Sequence, residues 1–222
     1  MTNFQTILKA AQARAGGPEA LENRLPVPKP ADELRAVGDD RYLSLMSLRI
    51  FRAGLKHSMV DAKWPAFEEA FHGFEPRRVR MMSDDDLDTL LTDKRLIRHG
   101  GKIKSVRANA AAVCDLADEA GSVGVYLADW PGTRIVELWE DIAKRFSQLG
   151  GNSGPYFLRM AGKDTFVLTP FVVRALNHWG ACDGEPKGKG ARRAVQDAFN
   201  AWAEESGRPL CQISMTLAQS VE

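Results

Sequence analysis

Residues 96–110 read LIRHGGKIKSVRANA. Two glycines, Gly100 and Gly101, stand between Arg98-His99 and Lys102-Ile103-Lys104, at the point where the apolar spacing turns helical. Upstream, SDDDLDTLLTDKR predicts a helix capped by Ser83. Asp84, Asp85 and Asp86 fall in its first turn, where negative charge meets the positive end of the helix dipole. Downstream, Ile103, Val106, Ala110 and Val113 recur at helical spacing. The stretch is therefore expected to be a helix, a tight glycine turn and a second helix, with positive charge gathered at the turn. Such a turn is either a plain connection or a seat where backbone amides and lysines meet an anion.

The same helical reading extends along the chain. Residues 1–15 carry an amphipathic pattern, and GGPEALENRLPVPKP after them is rich in glycine and proline. Asp39 or Asp40 is placed to cap a helix whose apolar face runs through Leu43, Met46 and Ile50 to Leu55. KWPAFEEAF, limited by its proline, and EPRRVRMM follow with helical patterns. PGTRIVELWEDIAKRF predicts a helix with Pro131 and Gly132 before its start, and LGGNSGPYFLRMAG predicts a second helix-turn-helix. After the short apolar TFVLTP, helices are expected over 171–179 and 191–206, and a last one from Leu210. The loop CDGEPKGKG is basic and glycine-rich. No period-2 strand set and no internal repeat appears, so the expected fold is all-α with about ten short helices.

Composition sets the outer bounds. The 222 residues are 44% apolar and 27% charged with a formal net charge of +1, ordinary for a globular chain able to bury a core. Any basic surface must therefore be local. No apolar run approaches the ~20 residues of a membrane span. The N-terminus lacks the pattern of a secretory signal. Cys114, Cys182 and Cys211 are odd in number and far apart, which suits a reducing compartment. A cytoplasmic protein is expected.

Four segments in order, LMSLRIFRAGL, FEEAFHGFEPRRV, the acidic helix and LIRHGGKIKSVRANA, span Leu43 to Ala112 and resemble the DNA-3-methyladenine glycosylase I family, a branch of the helix-hairpin-helix DNA glycosylases. The last is the most specific, since the family carries a very similar Ile-Arg-His-x-Gly-Lys-Ile turn followed by Asn-Ala. Further on, LGGNSGPYF resembles the hairpin of the wider superfamily. The resemblance implies helix-hairpin-helix architecture in two helical lobes with a cleft between them, about 1–74 plus 168–222 and about 75–167 with the hairpin. The physics of the hairpin is separable from the name. Gly150, Gly151 and Gly154 let the backbone turn tightly, and the amides near Asn152 and Ser153 point outward with the positive end of the dipole. Alone this reads more readily as an ordinary helix corner; with the Arg98–Lys104 turn in the same chain, DNA phosphate contact is favoured.

The chain departs from the family where the chemistry lies. Glycosidic cleavage passes through a positively charged, oxocarbenium-like state that a carboxylate stabilises. The Asp that follows the superfamily hairpin falls here on Thr169. The branch's Glu falls on Arg49, and its pocket Trp on His57. The branch's zinc ligands have no counterpart, and His178 with Cys182 supplies only two ligands, so no metal and no cofactor is expected. Arg49 and Arg52 read either as holders of a phosphate or of the O6/N7 edge of a guanine-like base, or, for Arg49, as a surface arginine covering apolar area with its stem.

Replacement acids are needed. Asp129 leads, because Trp130 beside it offers an aromatic wall at a loop-to-helix junction; Asp61 is second, four residues after His57 on one helix face. Trp64, Trp130, Trp139, Trp179 and Trp202 are stacking candidates or core residues. Lys187, Lys189, Arg192 and Arg193 form a secondary basic patch or a solvated face. The expected DNA contacts are Arg98, His99, Gly100, Gly101, Lys102 and Lys104 with Gly150, Gly151, Asn152, Ser153 and Gly154. Two functions follow. One is a monomeric base-excision glycosylase acting on double-stranded DNA. The other is a module that binds DNA or lesions on the same fold without catalysis.

Overall fold

The computed structural model describes residues Met1 to Glu222 and contains fourteen α-helices, two 3₁₀ turns and no strand. In chain order the first seven are α1 (Phe4–Ala15), α2 (Pro18–Glu22), α3 (Ala31–Ala36), α4 (Asp39–Arg52), α5 (His57–Ala70), α6 (Pro76–Arg80) and α7 (Asp84–Thr92). The rest are α8 (Gly100–Ala120), α9 (Val123–Asp129), α10 (Ile135–Arg145), α11 (Ser153–Ala161), α12 (Pro170–His178), α13 (Gly188–Ser206) and α14 (Leu210–Ser220). The all-α expectation holds. No helix is long and apolar enough to cross a membrane.

The chain divides into two compact units. The first comprises Met1–Lys29, Trp130–Leu138 and Gly162–Glu222. Here α1 and α12 pack on α14. Phe166 stacks on Phe199 at 4.0 Å, and the fully buried Trp202 donates its indole N–H to the Thr2 carbonyl at 2.9 Å. Polar caps come from distant residues. The Glu205 carboxylate accepts from the Phe4 amide at the start of α1, and the Asp164 carboxylate accepts from Leu210 and Cys211 at the start of α14. Thr169 caps α12 by accepting from the Val172 amide.

The second unit comprises Pro30–Asp129 and Trp139–Ala161. The long α8 is its spine, with α4, α6 and α9 packed against it. Ile103, Val106, Ala110 and Val113 are fully buried along that spine, as their spacing predicted. An aromatic stack runs beside it: Trp64 lies parallel to Phe67 at 4.9 Å and to Phe74 at 5.5 Å. A polar relay ties α4 to α5. The Ser44 hydroxyl accepts from the Trp64 indole (3.0 Å) and donates to Glu68 (2.6 Å), which grips Arg41 with both carboxylate oxygens.

Several local expectations are corrected. Ser83 caps α7 with a full capping box to Asp86, as expected. However, α4 begins at Asp39 behind Gly38, so neither Asp39 nor Asp40 is its cap; the Asp39 carboxylate instead accepts from the Val123 amide at the start of α9. Pro65 does not limit a segment but sits inside α5. Its lost hydrogen bond and ring clash are offset by the aromatic packing of its neighbours Trp64 and Phe67. Three short helices, α2, α3 and α9, were not anticipated.

The crossing of α3 and α9 depends on one glycine. A Cβ at Gly124 would stand 2.4 Å from the Leu34 carbonyl oxygen and 3.1 Å from the Arg35 Cα, both backbone atoms that cannot step aside. Gly124→Ala is expected to lower the unfolding free energy by about 2 kcal/mol or more, through overpacking. A urea midpoint equal to that of the parent protein would show that the two helices are free to separate.

Candidate functional site

The residues singled out in the sequence converge mainly in the second unit, at the C-terminal end of α4, the start of α5, the start of α8 and the start of α11. Gly100 and Gly101 do not form a turn. They occupy the first turn of α8. His99 is the cap, its Nδ1 accepting from the Lys102 amide at 3.3 Å. Arg98 and Lys104 are exposed beside this helix start.

Lys102 has a different fate from its neighbours. It is buried, and its ammonium donates to the carbonyls of Phe51 (3.3 Å) and Ala53 (2.7 Å). Those carbonyls belong to the C-terminal end of α4, which has no further turn to satisfy them and carries the negative end of the dipole. A lysine there caps one helix from the body of another. Its charge is committed inside the unit and is not offered at the surface as a phosphate contact.

The hairpin segment lies against this helix start. Gln148 adopts positive φ (62°) and donates its Nε2 to the Gly101 carbonyl at 2.7 Å. Asn109 of α8 receives the Ser147 amide (2.7 Å) and donates to the Ser147 carbonyl (3.2 Å). The two glycine-bearing segments of the sequence are thus brought together. The three hairpin glycines differ in need. Gly151 has φ +57°, and a Cβ on Gly154 would meet the Leu149 carbonyl oxygen at 2.9 Å, whereas Gly150 shows neither constraint. Asn152 is exposed ahead of α11, and Ser153 begins it.

Arg49 is the least expected element. Its guanidinium lies 4.7 Å from the ring centroid of Tyr156 on α11, and its Nε is buried with no hydrogen-bond partner. No carboxylate pairs with it. Burial lowers its affinity for its proton, Arg52 adds to the effect, and Tyr156 opposes it. Lys102 is depressed likewise, first by burial and then by Arg49. Two cations are therefore held near each other without an acid of their own. Arg52 is offset, since it holds the Asp61 carboxylate at 2.7 Å. Asp61 accordingly pairs with Arg52 and not with His57, which is exposed at the start of α5.

The remaining candidates are occupied elsewhere. Asp129 is held by Arg35. Trp130 donates its indole N–H to the Arg134 carbonyl at 2.9 Å. Thr169 is taken up as the α12 cap. Trp202 and Trp139 are core, and Trp64 is part of the aromatic stack. His178 meets Trp179 edge-on, and the Cys182 thiol points to the Gly184 carbonyl. No group of three His, Cys, Asp or Glu side chains is arranged to hold a metal ion. A depression of about 690 Å³ on the second unit, lined by Asp39, Asp40, Arg77, Arg80 and Asp118 among others, contains none of these residues.

Sequence reasoning missed Tyr156, Gln148 and Asn109. Asn109 lies in the RANA stretch already quoted, and its spacing from Lys102 and Val106 puts it on the buried face of α8. Tyr156 follows Ser153 by three residues, one helical turn into α11. Gln148 carried no signal, because its positive φ is not foreseeable for a glutamine.

An unpartnered buried donor destabilises a fold, and Arg49 keeps one. Arg49→Met is expected to raise the unfolding free energy by up to about 1 kcal/mol, since the lost contact with Tyr156 offsets part of the relief. The check is the urea midpoint; a lower midpoint would mean that Arg49 braces the unit.

A family model described as methyladenine glycosylase matches residues 34–148. The chain is 38% identical over 72 residues to DNA-3-methyladenine glycosylase 1 of Escherichia coli (strain K12), a match covering 32% of this chain and 38% of that protein. It is 36% identical over 61 residues to the DNA-3-methyladenine glycosylase of Haemophilus influenzae (strain ATCC 51907 / DSM 11121 / KW20 / Rd), covering 28% of this chain and 33% of that one. These matches span well under half the length of either relative. Among solved structures, 3-methyladenine DNA glycosylase I from Staphylococcus aureus is similar with a TM-score of 0.54 and 22% identity, over 76% of this chain and 91% of that one. A variant of 3-methyladenine DNA glycosylase I in complex with 3-methyladenine gives the same TM-score over 92% of its chain. At this identity the structures show a shared fold.

Proposed function

The chain belongs to the methyladenine glycosylase family, and from that premise we propose that it is a base-excision DNA glycosylase, hydrolysing the N-glycosidic bond of a damaged base in double-stranded DNA. The observation that carries this reading is the juncture of the two glycine-bearing segments, tied through Gln148 to Gly101 and through Asn109 to Ser147. Amides in the first turn of a helix receive phosphates independent of base identity, and the His99 cap takes up the Lys102 amide and not those of Gly100 and Gly101. Arg98 and Lys104, exposed at the same place, supply the long-range attraction.

The reaction needs an extruded base and a sugar whose positive charge is stabilised as the bond opens. Of the two candidate acids, Asp61 has the better claim, because Arg52 holds it within the Arg49 cluster. Asp129 is the second, held by Arg35 at the end of α9. In this scheme Lys102 is a positioning residue, fixing the end of α4 from which Arg49 and Arg52 project. A second reading, DNA binding without hydrolysis, is favoured by one observation: both acids are already engaged by arginines.

Two measurements test these assignments. Arg98→Glu with Lys104→Glu should weaken binding to every duplex alike and reduce the salt slope of log affinity by about two, one per lost phosphate contact. An unchanged slope would move the DNA surface elsewhere. Asp61→Asn should lower single-turnover base release by about a hundredfold with DNA affinity kept. If Asp129→Asn does so instead, the roles exchange; if the parent protein binds DNA and releases no base from any damaged duplex, the binding module is the function.

A further inference from the structure

The cluster around Arg49 is positively charged. Arg49 stands near the buried Lys102 with no acid between them, while Arg52 is offset by Asp61. Its Nε is sealed, and neither of its two Nη groups has a partner within the chain or is sealed with it. What remains is a forked pair of N–H donors beside the half-exposed ring of Tyr156.

Resting on the glycosylase reading, we propose that Arg49 makes this protein selective for neutral damaged purines with an acceptor edge, a carbonyl oxygen next to a ring nitrogen, and makes it reject cationic alkylated bases. A guanidinium fork matches the spacing of O6 and N7 on an oxopurine, the commonest specific arginine contact with a base. An alkylated adenine nucleoside carries a positive charge and offers an amino group in place of that carbonyl. It meets a like charge in a partly dried site, where repulsion costs orders of magnitude in affinity.

The chemistry of departure points the same way. The bond between C1′ and the base nitrogen breaks with its electron pair left on the base. A neutral oxopurine thus leaves as an anion, its charge spread onto the carbonyl oxygen that Arg49 donates to. Water adds to C1′ and releases a proton, and the base nitrogen takes one up, so the products are the free base and an abasic sugar. Arg49 keeps its protons throughout and stabilises charge that exists only as the bond opens. A cationic base leaves neutral and needs no such help.

The test separates binding from cleavage. Duplexes carrying one 2′-fluoro-deoxyinosine or one 2′-fluoro-3-methyl-deoxyadenosine resist hydrolysis, so affinity is read without turnover, against an undamaged duplex. The parent protein should bind the hypoxanthine duplex at least tenfold more tightly than the 3-methyladenine duplex. R49E should invert that order, R49K should lose the preference for hypoxanthine yet still reject the cation, and R49Q should lose both discriminations. The thermal midpoint of each variant confirms that it is folded. A parent protein that prefers the 3-methyladenine duplex overturns the proposal, as does an R49E that weakens all three duplexes equally, which would make Arg49 a phosphate contact. Base release from the cleavable counterparts is scored separately. Release of 3-methyladenine and not hypoxanthine sustains the glycosylase and removes the selectivity; selective binding with no release sustains the selectivity and removes the hydrolysis.

Discussion

The ammonium of Lys102 is the contact on which the candidate site depends. It crosses from the first turn of α8 to the last carbonyls of α4, and it fixes the end of the helix that carries Arg49 and Arg52. A neutral donor could satisfy those carbonyls. Only a cation also answers the negative end of the α4 dipole, and only a cation repels a neighbouring guanidinium. The second unit thus stabilises a helix end with a side chain whose burial depresses it, as burial depresses Arg49, and Arg49 adds to the effect on Lys102.

The rest of the site is built outward from that contact. With α4 fixed, α11 lies against it and brings Tyr156 over Arg49, while the Asn109 and Gln148 bonds hold the loop ahead of α11 to α8. The glycines divide the remaining work. Gly154 admits the Leu149 carbonyl, Gly151 takes the left-handed turn, and Gly100 and Gly101 form the first turn of α8. Natural sites commonly hold such costs because binding recovers them, and the orphaned Arg49 Nε fits that pattern.

Much of this was legible in the sequence. The Ser83 cap, the buried stripe of α8 and the need for glycine near 150–154 follow from local rules, and all appear. The burial of Lys102 was also written there, since it precedes Val106 by one helical turn on the apolar face. Other features have no local signature. Pro65 sits mid-helix only because the aromatic stack around it outweighs a lost hydrogen bond. The helix α9 contains a poor helix former, Gly124, whose value lies in the carbonyl of Leu34 approaching it from 90 positions earlier in the chain. The partners of Asp61 and Asp129, Arg52 and Arg35, are tertiary facts that spacing could not supply.

The caps of the first unit have a consequence for the order in which the chain becomes structured during synthesis. The amide of Phe4, at the start of α1, is satisfied by Glu205, 201 residues later. The Thr2 carbonyl waits equally long for Trp202. The start of α1 therefore finds these partners only after α13 is made, a long closure that slows the final step of folding. The segments of the second unit, 30–129 and 139–161, are complete while α13 and α14 are still to be made. The Arg49 cluster can assemble on a nascent chain in which the start of α1 is still uncapped.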